Sequence, residues 1–303
     1  TSTARAELAS QARASDAGAP VKLAGRLLVR TVDPGNPRLN GRLVEAAFGA
    51  SKAVVDGGRL ACQRVYVAAG AGLCLAVAPS GVEYRARIFD RHHRVRHELT
   101  LSGLPSRARV SPGGRWGALT TFSSGDSYTT PGQFSTRTWI LDMLSGRRVA
   151  DLERFEVLKG DKRLDVPDFN FWGVTFAGDE DTFYATLATG GRRYLVKGSL
   201  AQRRVQLMRE NVECPSLSPD GRRLAYKKRV GGVQDWRLHV LDLGTGRDVA
   251  LAEQRSIDDQ AEWLNDETVV YGDGRSVWAV RADGAGRPQR LLARADSPAA
   301  VRG

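Results

Sequence analysis

The segment Pro215 to Tyr226 constrains the fold of this chain more than any other feature, because a weaker copy of it lies between Arg109 and Leu119. In both copies a Ser-Pro pair opens a four-residue turn that is closed by glycine. Proline presets the second turn position, and glycine accepts backbone angles that other residues avoid. Alternating apolar residues flank each turn, so each copy predicts a β-hairpin. A hairpin repeated along one chain indicates a repeat architecture.

A second repeated element follows each of these hairpins at nearly the same distance. The segments 141–150 and 241–250 share Leu-Asp, Gly-Arg and Val-Ala at matching positions. Each predicts an outer hairpin, with one strand ending in Leu-Asp, a glycine-containing turn and a short amphipathic strand. Together the two hairpins make one four-stranded unit of the kind that forms a propeller blade.

Extending this register along the chain predicts an all-β fold, a six-bladed β-propeller of four-stranded antiparallel blades. The first strands of five units are expected near the following residues: Leu60, Arg107, Phe171, Glu213 and Asp259. The N-terminal hairpin 26–47 and the C-terminal strand 297–301 are expected to share the sixth blade, because an unsealed ring would expose sheet edges. Residues 24–303 are therefore expected to form a single domain, preceded by a flexible tail at 1–23 that is rich in Ala, Ser and Arg.

The net charge of +11 makes a nucleic-acid partner worth testing. The arginines are scattered through almost every predicted turn, whereas a nucleic-acid arm would gather its cations in one run with stacking aromatics. We therefore expect no nucleic-acid binding. A basic surface of this kind favours an acidic partner, either a protein or an anionic envelope polymer.

Two of the three cysteines are placed for a cross-strand bridge. Cys62 and Cys74 are expected nearly opposite each other on the first two strands of one blade. They predict a structural disulfide in an oxidising compartment, although two buried free thiols would fit the same spacing. Cys214 is left over, and no Cys or His group has zinc spacing.

The sequence has no apolar run of the length that a membrane-spanning helix needs. Its first residue is Thr, as expected for a mature form whose signal or anchor segment has been removed. We expect an extracytoplasmic monomer, secreted or held at a membrane through such a segment.

The Ser-Pro-Asp-Gly hairpin followed by Leu-Ala-Tyr resembles the WD-type repeat of the TolB family and of the propellers of prolyl oligopeptidase relatives. Over residues 24–301 the chain is similar to the actinobacterial TolB-like group. The segments that carry this likeness are 125–128, 134–138, 170–176, 183–187, 213–221 and 258–264. The resemblance implies a non-catalytic, extracytoplasmic propeller that binds proteins in assembly or translocation at the cell envelope.

A binding site is expected where the inner strands of the blades begin, because these strands line the channel and their loops gather on one face. The residues predicted to ring this mouth are Arg107, Arg109, Asp168, Asn170, Glu213, Asp258, Asp259, Gln260 and Glu262. The loop 123–136 and the resembling segments add Asp126, Tyr128, Phe134 and Arg137. These groups either bind a ligand such as a peptide, a glycan end or a cation, or satisfy one another. Lys227, Lys228 and Arg229 are expected to add a cationic cluster near the same face.

No catalytic residues are predicted, because the chain has no Gly-x-Ser-x-Gly segment and no histidine near the predicted ring. One enzymatic alternative is a calcium-dependent, lactonase-like hydrolase with its site at the channel mouth. Asp168, Asp258 and Asp259 are the oxygen ligands that would hold the Ca²⁺. No other cofactor is expected.

Overall fold

The chain forms six antiparallel sheets arranged as the blades of a β-propeller, as a computed structural model shows. The structure describes residues 21, 23–49, 53–78, 80–122, 135–166, 168–232 and 234–302, with the backbone alone for 53–59. The predicted all-β, six-bladed fold is confirmed. The predicted tail at 1–23 lies almost wholly outside the described residues.

Each blade has a four-stranded core. The closing blade has the order β26-β1-β2-β3 and consists of β1 (Gly25–Thr31), β2 (Arg42–Phe48), β3 (Ala53–Ala61) and β26 (Ala295–Ala300). Blade 1 consists of β4 (Arg64–Ala68), β5 (Ala71–Val77), β6 (Tyr84–Asp90) and β7 (Val95–Leu101). Blade 2 consists of β8 (Leu104–Val110), β9 (Trp116–Phe122), β10 (Thr136–Asp142) and β11 (Arg148–Asp151).

The remaining blades follow in chain order. Blade 3 consists of β14 (Asn170–Phe176), β15 (Thr182–Thr189), β16 (Arg192–Ser199) and β17 (Arg204–Glu210), with β12 (Glu156–Lys159) and β13 (Lys162–Leu164) added to it. Blade 4 consists of β18 (Glu213–Leu217), β19 (Arg223–Arg229), β20 (Trp236–Asp242) and β21 (Asp248–Ala250). Blade 5 consists of β22 (Glu262–Asn265), β23 (Thr268–Gly272), β24 (Ser276–Arg281) and β25 (Gln289–Ala293).

The two Ser-Pro turns that indicated the repeat have the same hydrogen bonds. The Ser111 amide donates to the Trp116 carbonyl at 2.8 Å, and the Ser218 amide donates to the Arg223 carbonyl at the same distance. In each turn the serine Oγ accepts from the amide five residues later. The closing glycines have φ of +77° at Gly114 and +71° at Gly221, the left-handed region that glycine adopts without strain.

These turns also tie each blade to the next one. The Gly113 amide of blade 2 donates to Glu180 Oε1 at 2.7 Å, and the equivalent amide of Asp220 in blade 4 donates to Asp266 Oδ1 at 3.0 Å. Both acceptors lie in the first turn of the following blade. The sequence repeat therefore repeats a contact between blades as well as a hairpin.

The two ends of the described chain share the closing blade, as predicted. Strand β26 pairs with β1 from Leu27 to Thr31 and is the innermost strand of this blade. Ser297 Oγ lies 3.2 Å from both the amide and the carbonyl of Val65, which joins the closing blade to blade 1. The prediction that blade 1 begins near Leu60 was wrong: Leu60 belongs to β3, and blade 1 begins at Arg64 because β2 has its own outer partner strand.

Cys62 and Cys74 form a disulfide, with their Cα atoms 5.4 Å apart. The pairing is as predicted, but Cys62 lies in the connection between β3 and β4, and Val65 is the residue opposite Cys74. The bridge therefore attaches the closing blade to the second strand of blade 1. Cys214 is a buried free thiol.

Blade 3 carries an additional hairpin that the sequence patterns did not predict. Strand β12 pairs in parallel with β17, and β13 extends the sheet to six strands. Val157 and Val205 are paired across this junction and are both buried. The insertion therefore widens one blade on its outer side.

Buried aromatic and aliphatic side chains fill the spaces between the blades. Trp263 of blade 5 is fully buried, and its Nε1 donates to the Ser216 carbonyl of blade 4 at 2.8 Å. Gly173 allows β14 and β18 to approach closely, because a Cβ at this position would lie 2.6 Å from the Cα of Cys214.

None of the helices in the described part of the chain is long and apolar enough to cross a membrane.

Candidate site at the channel mouth

One face of the ring is formed by the starts of the inner strands β4, β8, β14, β18, β22 and β26. We call the opening of the channel on this face the mouth. The connection between blades 4 and 5 enters it, and its residues Asp258, Asp259 and Gln260 are the axial loop. Gln260 Nε2 donates to the Val174 carbonyl at 3.0 Å and to the Pro215 carbonyl at 2.8 Å. The axial loop is therefore fixed against the inner strands of blades 3 and 4.

Asp258 has two cationic partners from different blades. Lys227 Nζ of blade 4 donates to its Oδ1, and Arg107 of blade 2 lies 3.4 Å from the same oxygen. Burial raises the pKa of Asp258, but the charges of Lys227 and Arg107 lower it further, so the net pKa is well below its ordinary range. The carboxylate is ionised and joins three parts of the ring.

Asp259 and Asp296 are linked through one arginine. Arg64 NH1 lies 3.3 Å from Asp259 and 3.9 Å from Asp296, and Arg30 lies 3.3 Å from Asp296. The Gly272 amide donates to Asp259 at 2.9 Å. Burial raises the pKa of Asp259 above its ordinary value even though Arg64 opposes this shift. Arg64 therefore joins blade 1 to both the axial loop and the closing blade.

Glu213 is the third acidic position at this face. It is 3% exposed and accepts a hydrogen bond from Trp236 Nε1 at 3.1 Å. Arg193 lies 3.3 Å from it and Arg229 lies 3.5 Å from it. Blades 3 and 4 therefore meet at the mouth through a carboxylate with two guanidinium partners.

These contacts form one set, which we call the mouth network. Its cations are Arg30, Arg64, Arg107, Arg193, Lys227 and Arg229, and its carboxylates are Glu213, Asp258, Asp259 and Asp296. The six cations come from five blades, and they face four carboxylates. The mouth network therefore has two more positive than negative charges when every carboxylate is ionised.

A second ion cluster lies deeper in the channel. Arg109 NH1 donates to Glu262 Oε2 at 2.5 Å, and Arg302 lies 2.9 Å from the other oxygen of the same carboxylate. The Arg109 guanidinium stacks on Tyr66, with its carbon 4.4 Å from the ring centroid. Arg109 and Glu262, both predicted from the sequence, are therefore brought together but lie below the mouth.

Other predicted site residues lie in separate contacts outside the mouth network. Asp168 accepts hydrogen bonds from Thr189 Oγ1 and the Gly190 amide, and Asn170 accepts from the Thr136 amide at 2.8 Å. Arg137 pairs with Asp151 at 2.9 Å. Asp126, Tyr128 and Phe134 lie outside the described residues.

The calcium ligands proposed from the sequence are divided between these environments. Asp258 and Asp259 face cations, and Asp168 is held by the end of β15. Within the described part of the chain, no three His, Cys, Asp or Glu side chains are grouped to hold a metal ion. Calcium binding remains a prediction of the sequence.

Sequence reasoning missed Arg64, Asp296 and Arg193. The strand register could have revealed Arg64, because it begins the inner strand of blade 1. Arg193 contacts Glu213 from the third strand of the neighbouring blade, and no local pattern shows such a contact. The predicted cationic cluster does not lie on one side of β19. Lys227 and Arg229 contact the mouth carboxylates, whereas Lys228 lies on the other side of the strand and donates to Asp248 at 2.8 Å.

The fold and the mouth define this chain as a six-bladed β-propeller with a polar, self-paired channel. Neither a protein-family model nor a curated protein matches the sequence. TolB from Acinetobacter baumannii has a similar structure, with a TM-score of 0.67 and 17% identity over 94% of this chain and 69% of that chain. A putative TolB from Agrobacterium tumefaciens is similar with a TM-score of 0.50 and 10% identity, over 90% of this chain and 91% of that chain.

A chain of the nidogen/laminin complex is also similar, with a TM-score of 0.61 and 11% identity over 91% of this chain and 98% of that chain. Peptidases match as well, at TM-scores below 0.5. At these identities the likeness shows the fold alone. The TolB-like fold that the sequence suggested is thus present.

Proposed function

We propose that this chain is a protein-binding β-propeller of the extracytoplasmic space, and that its mouth binds an acidic segment of a partner protein. The observation that carries the proposal is the excess of cations in the mouth network. Positive charge gathered at one concave face attracts and orients a negatively charged partner. Arg64, Arg193 and Arg229 keep about a quarter of their side-chain surface exposed, so their guanidinium groups are accessible to such a partner.

The fixed position of the axial loop favours a docking surface. Gln260 attaches the loop to blades 3 and 4, and Asp258 pairs with Lys227 and Arg107, so a partner would meet a fixed, charged floor. A protein segment suits such a floor because main-chain groups and side chains can contact several blades at once. The TolB neighbours and the nidogen/laminin chain support protein binding by this fold.

The disulfide supports the extracytoplasmic part of the proposal. Disulfides persist in oxidising compartments and are rare in the reducing cytosol. The bridge joins the connection that follows β3 of the closing blade to β5 of blade 1. An actinobacterial TolB-like affiliation, and a part in envelope assembly or translocation, belong to this same proposal.

A pair of matched double variants tests the site. Arg64→Gln with Arg229→Gln removes two mouth cations but leaves Glu213 with Arg193 and Trp236. Arg147→Gln with Arg247→Gln makes the same charge change at exposed, equivalent turns on the opposite face. Fluorescence anisotropy with a labelled polyglutamate peptide measures binding by each protein.

We expect the mouth variant to weaken polyglutamate binding by about tenfold, or about 1.4 kcal/mol, and the opposite-face variant to bind like the wild type. Equal loss in both variants would show that only net charge matters and would reject the mouth as the site. A polyphosphate of equal charge distinguishes the partner class. Tighter, mouth-dependent polyphosphate binding would contradict a protein partner and favour an anionic polymer.

A further inference from the structure

Arg109 is buried in the channel, below the mouth. It is 3% exposed, and NH1 and NH2 donate to Glu262 and to the Ala261 carbonyl. Its Nε is buried and has no hydrogen-bond partner among the described residues. A buried N–H of a charged group without an acceptor is costly, so this atom calls for a further partner.

A cavity of about 20 Å³ lies next to this arginine. It holds one species of about the size of a water molecule. The charged residues that line it are three arginines, Arg64, Arg107 and Arg109, and one aspartate, Asp259. Gln260 and Ser297 complete the polar part of the wall.

In the ion pairs among the described residues around the cavity, cations outnumber carboxylates. Asp258 forms ion pairs with both Arg107 and Lys227. Glu262 forms ion pairs with both Arg109 and Arg302. Arg64 pairs with Asp259. Five cations therefore share three carboxylates, which leaves two positive charges, and the neighbouring pair of Arg30 and Asp296 adds one charge of each sign.

We propose that this cavity binds a single halide-sized anion, chloride under ordinary conditions, which accepts a hydrogen bond from Arg109 Nε. A neutral water would satisfy the N–H group but would leave the charge uncompensated. An anion satisfies both, and its attraction to the buried guanidinium groups of Arg107 and Arg109 is stronger than in bulk water. The small volume excludes polyatomic anions as large as gluconate.

The anion site is a structural element of the ring, and it shares Arg64 and Arg107 with the mouth network. It lies where blades 1 and 2, the closing blade and the axial loop meet. A bound anion would hold the side chains of Arg64, Arg107 and Arg109 together, although these three cations repel one another. Loss of the anion should therefore loosen the ring without any change in the outward-facing loops.

Crystals grown or soaked in sodium bromide give a direct test, because bromide is located by its anomalous scattering. We expect an anomalous peak within hydrogen-bond distance of Arg109 Nε. A water with no anomalous signal at this position, in crystals that carry bromide elsewhere on the surface, would overturn the proposal.

Thermal unfolding gives a test in solution. At constant ionic strength, replacement of gluconate by chloride or bromide should raise the Tm along a saturable curve, as expected for a ligand that binds the native state. The Arg302→Gln variant removes one surplus charge but leaves Glu262 paired with Arg109, so half-saturation should need severalfold more halide. Arg290→Gln, at an exposed position of β25, should respond like the wild type.

The same Tm in gluconate and halide at every concentration would contradict the proposal, as would an identical halide response in the Arg302→Gln variant. The halide experiments do not use the Arg64→Gln, Arg229→Gln double variant that tests partner binding. Absence of halide binding would therefore leave the proposed protein binding intact, and absence of polyglutamate binding would leave the proposed anion site intact.

Discussion

The side-chain amide of Gln260 lies 2.8 Å from the carbonyl oxygen of Pro215, and this hydrogen bond fixes the axial loop to the inner strand of blade 4. The same nitrogen also bonds to the Val174 carbonyl in blade 3. One side chain therefore satisfies two buried main-chain acceptors in two blades. The axial loop is therefore held at the mouth by blades 3 and 4 together.

Substitution of Gln260 tests this attachment of the axial loop. Gln260→Ala leaves both carbonyls without their donor, and we expect a loss of about 1–3 kcal/mol in the free energy of unfolding. Gln254→Ala, at an exposed position of the same connection, should change the free energy of unfolding by less than about 0.5 kcal/mol. Urea unfolding monitored by tryptophan fluorescence measures the free energy of unfolding of both variants. Equal stability of the two variants would mean that the axial loop is not held by Gln260.

The disulfide should contribute strongly to stability because it joins the closing blade to blade 1. For a loop of this length, replacing both Cys62 and Cys74 by serine should cost about 3 kcal/mol. Reductant should lower the Tm of the wild type to that of the double variant and leave the variant unchanged. Thiol titration of the denatured, unreduced protein should detect Cys214 alone. Three titratable thiols in protein purified without reductant would contradict the bridge.

Acid should weaken the outer part of blade 4 through Asp248. Burial raises the pKa of this carboxyl, but hydrogen bonds from Lys228, His239 and Tyr226 lower it further, to a net value below the ordinary 3.8. A carboxylate with a lowered folded pKa stabilises the native state above the unfolded pKa, and this stabilisation is lost as the pH falls towards the folded pKa.

Asp248→Asn should therefore cost about 1–3 kcal/mol at pH 7, where all the hydrogen bonds to the charge are present. The difference in free energy of unfolding between this variant and the wild type should shrink as the pH falls below 3.8. Chemical unfolding of both proteins between pH 7 and acidic pH measures this difference. A difference that is constant with pH would show that the ionised form is not preferentially stabilised.

Calcium should have no specific effect on this protein. Asp258 and Asp259 already have cationic partners in Lys227, Arg107 and Arg64, which would repel a divalent ion. We expect the same Tm in millimolar Ca²⁺, in Mg²⁺ and with chelator. A rise in Tm that only Ca²⁺ produces, and that Asp258→Asn abolishes, would instead support the hydrolase alternative.

Much of the fold could be predicted from the sequence because its signals are local. A Ser-Pro-x-Gly turn encodes its own hydrogen bonds, as Ser111 and Ser218 show. The shared closing blade followed from counting hairpins. The parallel pairing of β12 with β17 was missed because it joins strands about 50 positions apart, with four other strands between them in the chain.

The site could be predicted only in part, for a similar reason. Inner-strand residues such as Arg107 and Glu213 were identified from the register. Their partners were not, because Arg193 reaches Glu213 from another blade and Gln260 bonds to backbone carbonyls that carry no sequence signal. Strand alternation also decides that Lys227 faces the mouth while Lys228 faces Asp248.

Site-specific photo-crosslinking in the native envelope fraction tests the central claim most directly. A photoreactive residue in place of Arg192, an exposed side chain on the mouth side of blade 3, is compared with one in place of Leu144, an exposed side chain of an outer turn on the opposite face. We predict that the Arg192 position captures one defined protein through an acidic segment and that the Leu144 position does not. Capture of the same protein with equal yield from both positions, or of no protein from the Arg192 position, would contradict binding at the mouth.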